Sequence, residues 1–183
     1  MVDSRKLNIV DETGKIVGEE TRENIHKKGL LHREVHVWFY TSDSKIIFQH
    51  RVKNKDTFPN MLDATVGGHV ELGMEWLSTA LKEIREETGI TTKSADLIYT
   101  ATIRSKVFDP VTNNTNNVIR KIYAYLYDGK ITNLKGDPDE VQGFEYWGID
   151  TLFNKNTDRS RIIPALLNPD SLKIYQKIKH LVK

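Results

Sequence analysis

The chain has 183 residues with 27 basic and 25 acidic side chains, a formal net charge of +2, 38% hydrophobic residues and no cysteine. That length buries a core and reads most simply as one domain, while the charge balance points to neither a nucleic-acid nor a membrane partner. The missing cysteine excludes disulfides, thiolate metal sites and a cysteine nucleophile; with no signal-like opening and no membrane-length apolar run, a soluble cytoplasmic protein is expected.

In chain order, "KLNIVDETGKIVGEE" predicts a hairpin turning at Asp11-Glu12-Thr13-Gly14, and "TRENIHKKG" a short helix capped by Thr21 and stopped by Gly29. Lys27 and Lys28, like the lysines from Lys173 to Lys183, read as solvated surface. "REVHVWFYTSDSKIIFQHRV" predicts two strands around a turn at Thr41 to Ser44. In the first, Val35, Val37 and Phe39 alternate with His36, Trp38 and Tyr40, so both faces are largely apolar. "LDATVGG" predicts one short strand ending in glycines. A helix follows, then the strands "ADLIYTATIRSKVF" and "VIRKIYAYLYDG" around an exposed polar loop, Thr112 to Asn117. "FEYWGI" predicts a last strand, and "DSLKIYQKIKHLVK" a closing helix with Ile174, Ile178 and Leu181 on one face. Strands dominate without strict strand–helix alternation, which favours an α+β or mixed domain over a doubly wound one.

The central helix, residues 74–88 with Gly89 as its stop, carries the chemistry. At about 100° per residue, Leu77, Ala80, Leu81 and Ile84 form the stripe expected to pack on the sheet. Glu83, Glu86 and Glu87 share one flank, and Glu87 lies nearest the apolar boundary. Carboxylates in a last turn face the negative end of the helix dipole, at a cost of about 0.3–1 kcal/mol each. A solvated helix face, with Lys82 pairing to Glu86, is the plain reading. A divalent ion such as Mg²⁺ resolves the conflict more fully, because a hard cation takes several carboxylates together with substrate phosphates.

Residues 68–90 resemble the Nudix box: Gly68, Glu83, Ile84, Glu86, Glu87, Gly89 and Ile90 match it at the required spacing. The flanking hairpins and "VQGFEYW" suit the same fold, so the resemblance extends over most of the chain. It implies a mixed sheet between helices, an α/β/α sandwich, with residues 1–29 as an N-terminal extension and 170–183 as a terminal helix. It implies hydrolysis of a diphosphate linkage, usually in a nucleoside diphosphate derivative. Glu83, Glu86 and Glu87 would hold Mg²⁺ or Mn²⁺ with the Gly68 carbonyl, and Glu86 or Glu140 would serve as base. Two positions depart from the box. Met74 stands where it has glutamate, and Lys82 where it has an arginine that orients the metal ligands.

"HRVKNKDTFPNMLDATVGGHVELG" resembles the branch that contains isopentenyl diphosphate isomerases and related hydrolases. Arg51, Lys53 and Lys55 are candidates to meet phosphates, and His69 and Glu71 lie beside the glycines near the implied site. Each also reads as ordinary surface or turn chemistry. The isomerase uses a cysteine where this chain has Ala64-Thr65-Val66-Gly67, which argues against that activity. A non-catalytic module of the same fold is the rival from another class, favoured by Met74 and Lys82 and opposed by the intact glutamates. The expected partner is a small-molecule diphosphate, with the protein a monomer or homodimer.

Overall fold

The structure is a computed structural model and describes residues 5–55 and 57–182. Residues 1–4, part of the signal-peptide reading, and Lys183, the last of the basic cluster, lie outside the described residues.

The N-terminal hairpin joins β1 (Lys6–Val10) to β2 (Ile16–Thr21). Asp11 sets its turn, accepting hydrogen bonds through Oδ1 from the N–H groups of Thr13 and Lys15 at 2.9 and 3.1 Å. Helix α1 (Arg22–Lys28) has Thr21 as N-cap and left-handed Gly29 as C-cap, as the sequence predicts.

Strand β3 (His32–Tyr40) is buried along its whole length. It pairs in parallel with β8 (Asn114–Leu126) and antiparallel with β6 (Val66–His69). Its alternating side chains supply two cores. Val35, Val37 and Phe39 pack with Ala80 and Ile84 of α2 (Trp76–Thr88). Trp38 and Tyr40 pack with Ile174, Tyr175 and Ile178 of α3 (Pro169–Lys179) on the other face. Strand β4 (Lys45–Arg51) carries β5 (Leu62–Asp63) and β9 (Val141–Gly148), and β7 (Ile98–Asp109) pairs with β8. A largely antiparallel sheet with a helix on each face is the expected α+β sandwich. Among the described residues no helix is long and apolar enough to cross a membrane.

Four expectations need correction. "LDATVGG" forms two strands, because β5 follows β4 while β6 crosses to β3. Helix α2 starts at Trp76 rather than residue 74, and Leu77 faces solvent at 36% exposure. Its buried face is turned toward Ala80, Ile84, Glu87 and Thr88, with Leu81 only partly covered. The polar segment is no exposed loop: β8 begins at Asn114, and buried Asn117 donates its amide to the Gly29 carbonyl at 2.7 Å. Helix α3 ends at Lys179, so Leu181 packs from beyond the helix.

Candidate active site

Three features of the sequence bring α2 against β6. Gly89 in the left-handed conformation ends the helix one residue past its carboxylates. Ile84 is fully buried, which contributes roughly 2–3 kcal/mol by removal from water and offsets the dipole cost of the glutamates beside it. Gly68 leaves the room: a Cβ there would lie 2.3 Å from Glu83 Cγ and 2.6 Å from Glu83 Oε1. The Glu83 side chain therefore rests directly on the β6 backbone, as a metal ligand paired with the Gly68 carbonyl would.

The three carboxylates occupy unlike environments. The Glu86 side chain is half-exposed, at 44%, and meets Lys82 Nζ at 3.0 Å. Glu83 is 12% exposed, 3.4 Å from the same ammonium. Burial raises its pKa from 4.5 to about 7, and Glu86 and Glu140 push it the same way against the pull of Lys82. Glu87 is 5% exposed and sits well above the carboxylate range through burial, with Glu83 and Glu140 adding repulsion. Its Oε2 accepts the Gln49 amide at 2.8 Å and the Gly67 N–H at 3.0 Å. Among the described residues Glu87 thus has neutral hydrogen-bond donors alone.

Lys82 reaches Glu71 at 3.5 Å as well as Glu83 and Glu86. A flexible point charge meets three carboxylates here without needing a planar fork. Met74, the other departure, is partly buried and packs against the cluster that contains Ala80 and Ile84.

A cavity of about 430 Å³ opens over this flank. Arg51, Lys55, Gly68, His69, Glu71, Glu83, Glu86, Glu87 and Glu140 all line it, whereas Lys53 is exposed outside it. The Lys55 ammonium meets Glu140 at 2.9 Å, joining the loop after β4 to the loop before β9. Arg51 is partly committed elsewhere: NH1 binds Asp63 at 2.9 Å, while Nε and NH2 hold the Thr57 carbonyl at 3.1 and 2.9 Å. Phe58, at φ +44°, donates its N–H to Asp109 at 2.9 Å, and buried Asp109 also takes the Val111 N–H and the Thr112 hydroxyl. The loop forming this wall is therefore fixed from two sides.

His69 turns to a histidine group at the other end of the cavity. Its Nε2 lies 3.0 Å from that of His26, and its ring stacks on His32 with centroids 5.1 Å apart. Ligand atoms of His26, His32 and His69 all fall within 4.8 Å of one another, a donor set able to hold a metal ion. His32 Nδ1 is hydrogen-bonded to the Leu30 carbonyl at 2.9 Å, while its Nε2 is buried without a partner. Burial lowers the pKa of both His32 and His69, keeping them neutral.

Several lining residues escape the sequence reading. Glu34 and Arg120 form a buried ion pair at 2.5 Å, facing each other across the β3–β8 register. His36 lies beside them, kept neutral by burial and then by Arg120 and Arg51. Asn116 lines the same space. Gln49 does not line the cavity but backs Glu87 from beneath; it stands two residues before Arg51 on β4, the spacing that puts both on one strand face.

A family model described as NUDIX domain matches residues 30–166. A Nudix hydrolase of Clostridium acetobutylicum is 33% identical over 149 residues, covering 80% of this chain and 71% of that protein. The Nudix hydrolase YfcD of Escherichia coli is 36% identical over 84 residues, 46% of this chain and 47% of its own. Among solved structures, DR0079 from Deinococcus radiodurans superposes with a TM-score of 0.69 at 21% identity, covering 94% of this chain and 98% of that one. The NUDIX domain of Shewanella oneidensis NrtR, complexed with ADP ribose, gives 0.54 at 13% identity over 84% and 88%.

Proposed function

The chain belongs to the Nudix hydrolase family, and from that premise we propose that it hydrolyses a diphosphate linkage in a nucleoside diphosphate derivative or a related organic diphosphate. Glu83, Glu86 and Glu87, with the Gly68 carbonyl, would hold Mg²⁺ or Mn²⁺. The observation that carries this reading is the pair Glu83 and Glu87: a largely buried and a fully buried carboxylate, mutually repelling and pressed on a glycine backbone, with the Lys82 ammonium meeting Glu83 and Glu86 but not Glu87. An all-oxygen donor set of this kind suits a hard divalent ion.

When bound, such an ion supplies Lewis acidity at the phosphoryl oxygens and lowers the pKa of the attacking water. The chain's own residues do the rest. Lys55, which lines the cavity, would take a phosphate oxygen, and doing so would release Glu140 from its 2.9 Å ion pair. Glu140 then accepts the proton from water; Glu86, the most exposed of the cluster, is the other candidate base. Arg51 holds the cavity wall through Thr57 and adds positive potential toward the diphosphate. Because Ala64, Thr65 and Val66 are buried and Gly67, which does line the cavity, has no side chain, the segment where the isomerase keeps its cysteine presents no side chain for that chemistry.

The test is chromatographic detection of the monophosphate products formed from nucleoside diphosphates and their sugar conjugates, ADP-ribose among them, with Mg²⁺ or Mn²⁺. Expected is turnover with at least one substrate, abolished by EDTA and cut by orders of magnitude in Glu87→Gln. No turnover on any substrate, together with no metal binding by calorimetry, overturns the proposal.

A further inference from the structure

The geometry assigns Gln49 as a positioning residue: its amide presents Glu87 to the metal through one chosen oxygen. Both donors to Glu87, the Gln49 amide and the Gly67 N–H, fall on Oε2. Two N–H groups use up the acceptor directions of that oxygen, leaving Oε1 for a ligand. Gln49 is itself held. Its Nε2 also donates to the Thr65 carbonyl at 3.3 Å, and both of its partners are acceptors, which fixes the orientation of the amide. Thr65 is fully buried and pinned in turn, its hydroxyl donating to the Ile47 carbonyl and accepting the Phe39 N–H at 2.9 Å. The chain of contacts runs from β3 and β4 through Thr65 and Gln49 to one oxygen of Glu87.

The residue type fits the task. A buried lysine or arginine at this position would neutralise Glu87 and compete with the ion. A glutamate would repel it. A neutral donor, 3% exposed, orients the carboxylate and leaves its charge for the metal. Outer contacts of this kind typically set about 10- to 100-fold of metal affinity.

The proposal rests on the metal reading of Glu87, and its test separates the two. Mn²⁺ alone is titrated into the metal-free full chain by calorimetry, for the wild type, Gln49→Met and Gln49→Asn. Methionine keeps the volume and removes the donor; asparagine keeps the donor and draws it back by one methylene. Expected is Mn²⁺ binding to the wild type, weakened about 10- to 100-fold in Gln49→Met and by a smaller factor in Gln49→Asn, with thermal unfolding in EDTA little changed. Wild-type affinity in whichever variants fold, beside a wild type that binds, overturns the role of Gln49. If the wild type binds no Mn²⁺, the reading of Glu87 as a ligand falls, and this proposal with it.

Discussion

Replacing Glu83 by glutamine in the metal-free protein should stabilise it, and only at high pH. In the folded chain the carboxyl is 12% exposed and its pKa is raised from 4.5 to about 7. Between those two values the native state keeps a proton that the unfolded chain has released. Stability therefore falls as pH rises through that window, and the loss is complete above about 7. At about 1.4 kcal/mol per pH unit, the interval amounts to roughly 3 kcal/mol, or a melting temperature lower by about 6–12 °C for a chain of this size. Glutamine mimics the neutral acid. Thermal unfolding in EDTA should find Glu83→Gln close to the wild type at pH 5 and well above it at pH 8. A smaller slope should persist in the variant, because burial raises Glu87 even when the Glu83 charge is gone. Saturating Mg²⁺ should stabilise the wild type and much less the variant. If Glu83→Gln is no more stable at pH 8, or the difference is the same at both pH values, the account of Glu83 as a strained buried carboxylate is wrong.

Other perturbations probe the remaining supports. Gly68→Ala places a Cβ 2.3 Å from Glu83 Cγ and must displace the carboxylate; steady-state turnover should drop about 100-fold, as expected for a misplacement near 1 Å. Lys82→Met removes the ammonium shared by Glu71, Glu83 and Glu86. The metal-free protein should lose about 1 kcal/mol in urea unfolding at pH 8 and less at pH 5, whereas Lys82→Arg should not. Arg120→Met leaves Glu34 buried without its cation, with the Asn116 amide at 3.5 Å as its remaining donor, for about 3–5 kcal/mol of lost stability, and adding Glu34→Gln should recover much of it.

The parts legible in the sequence are those decided locally. Asp11, Thr21, Gly29 and Gly89 each set a turn or a helix end through contacts a few residues away. The flank of three glutamates was likewise visible, since it depends only on helical spacing. Partners decided by strand pairing were not. Glu34 and Arg120 meet because β3 runs parallel to β8, a register that no short stretch contains. The same register, together with the docking of α1, draws Asn116 and Asn117 into a strand that their polarity argued against. Leu77 was misplaced for a related reason: helical periodicity gives a stripe, while the sheet beneath decides which edge of it is covered, and here it covers the Glu87 side.

The anchors of the loop between β4 and β5 have an evolutionary consequence. Arg51 grips the main-chain carbonyl of Thr57, and Asp109 grips the main-chain N–H of Phe58. Neither contact depends on which side chains the loop carries. Side chains of that wall can thus change without releasing the loop from either anchor, while the carboxylate flank on α2 stays untouched. That tolerance belongs to the backbone anchors, and it stops at Lys55, whose ion pair with Glu140 is a side-chain contact.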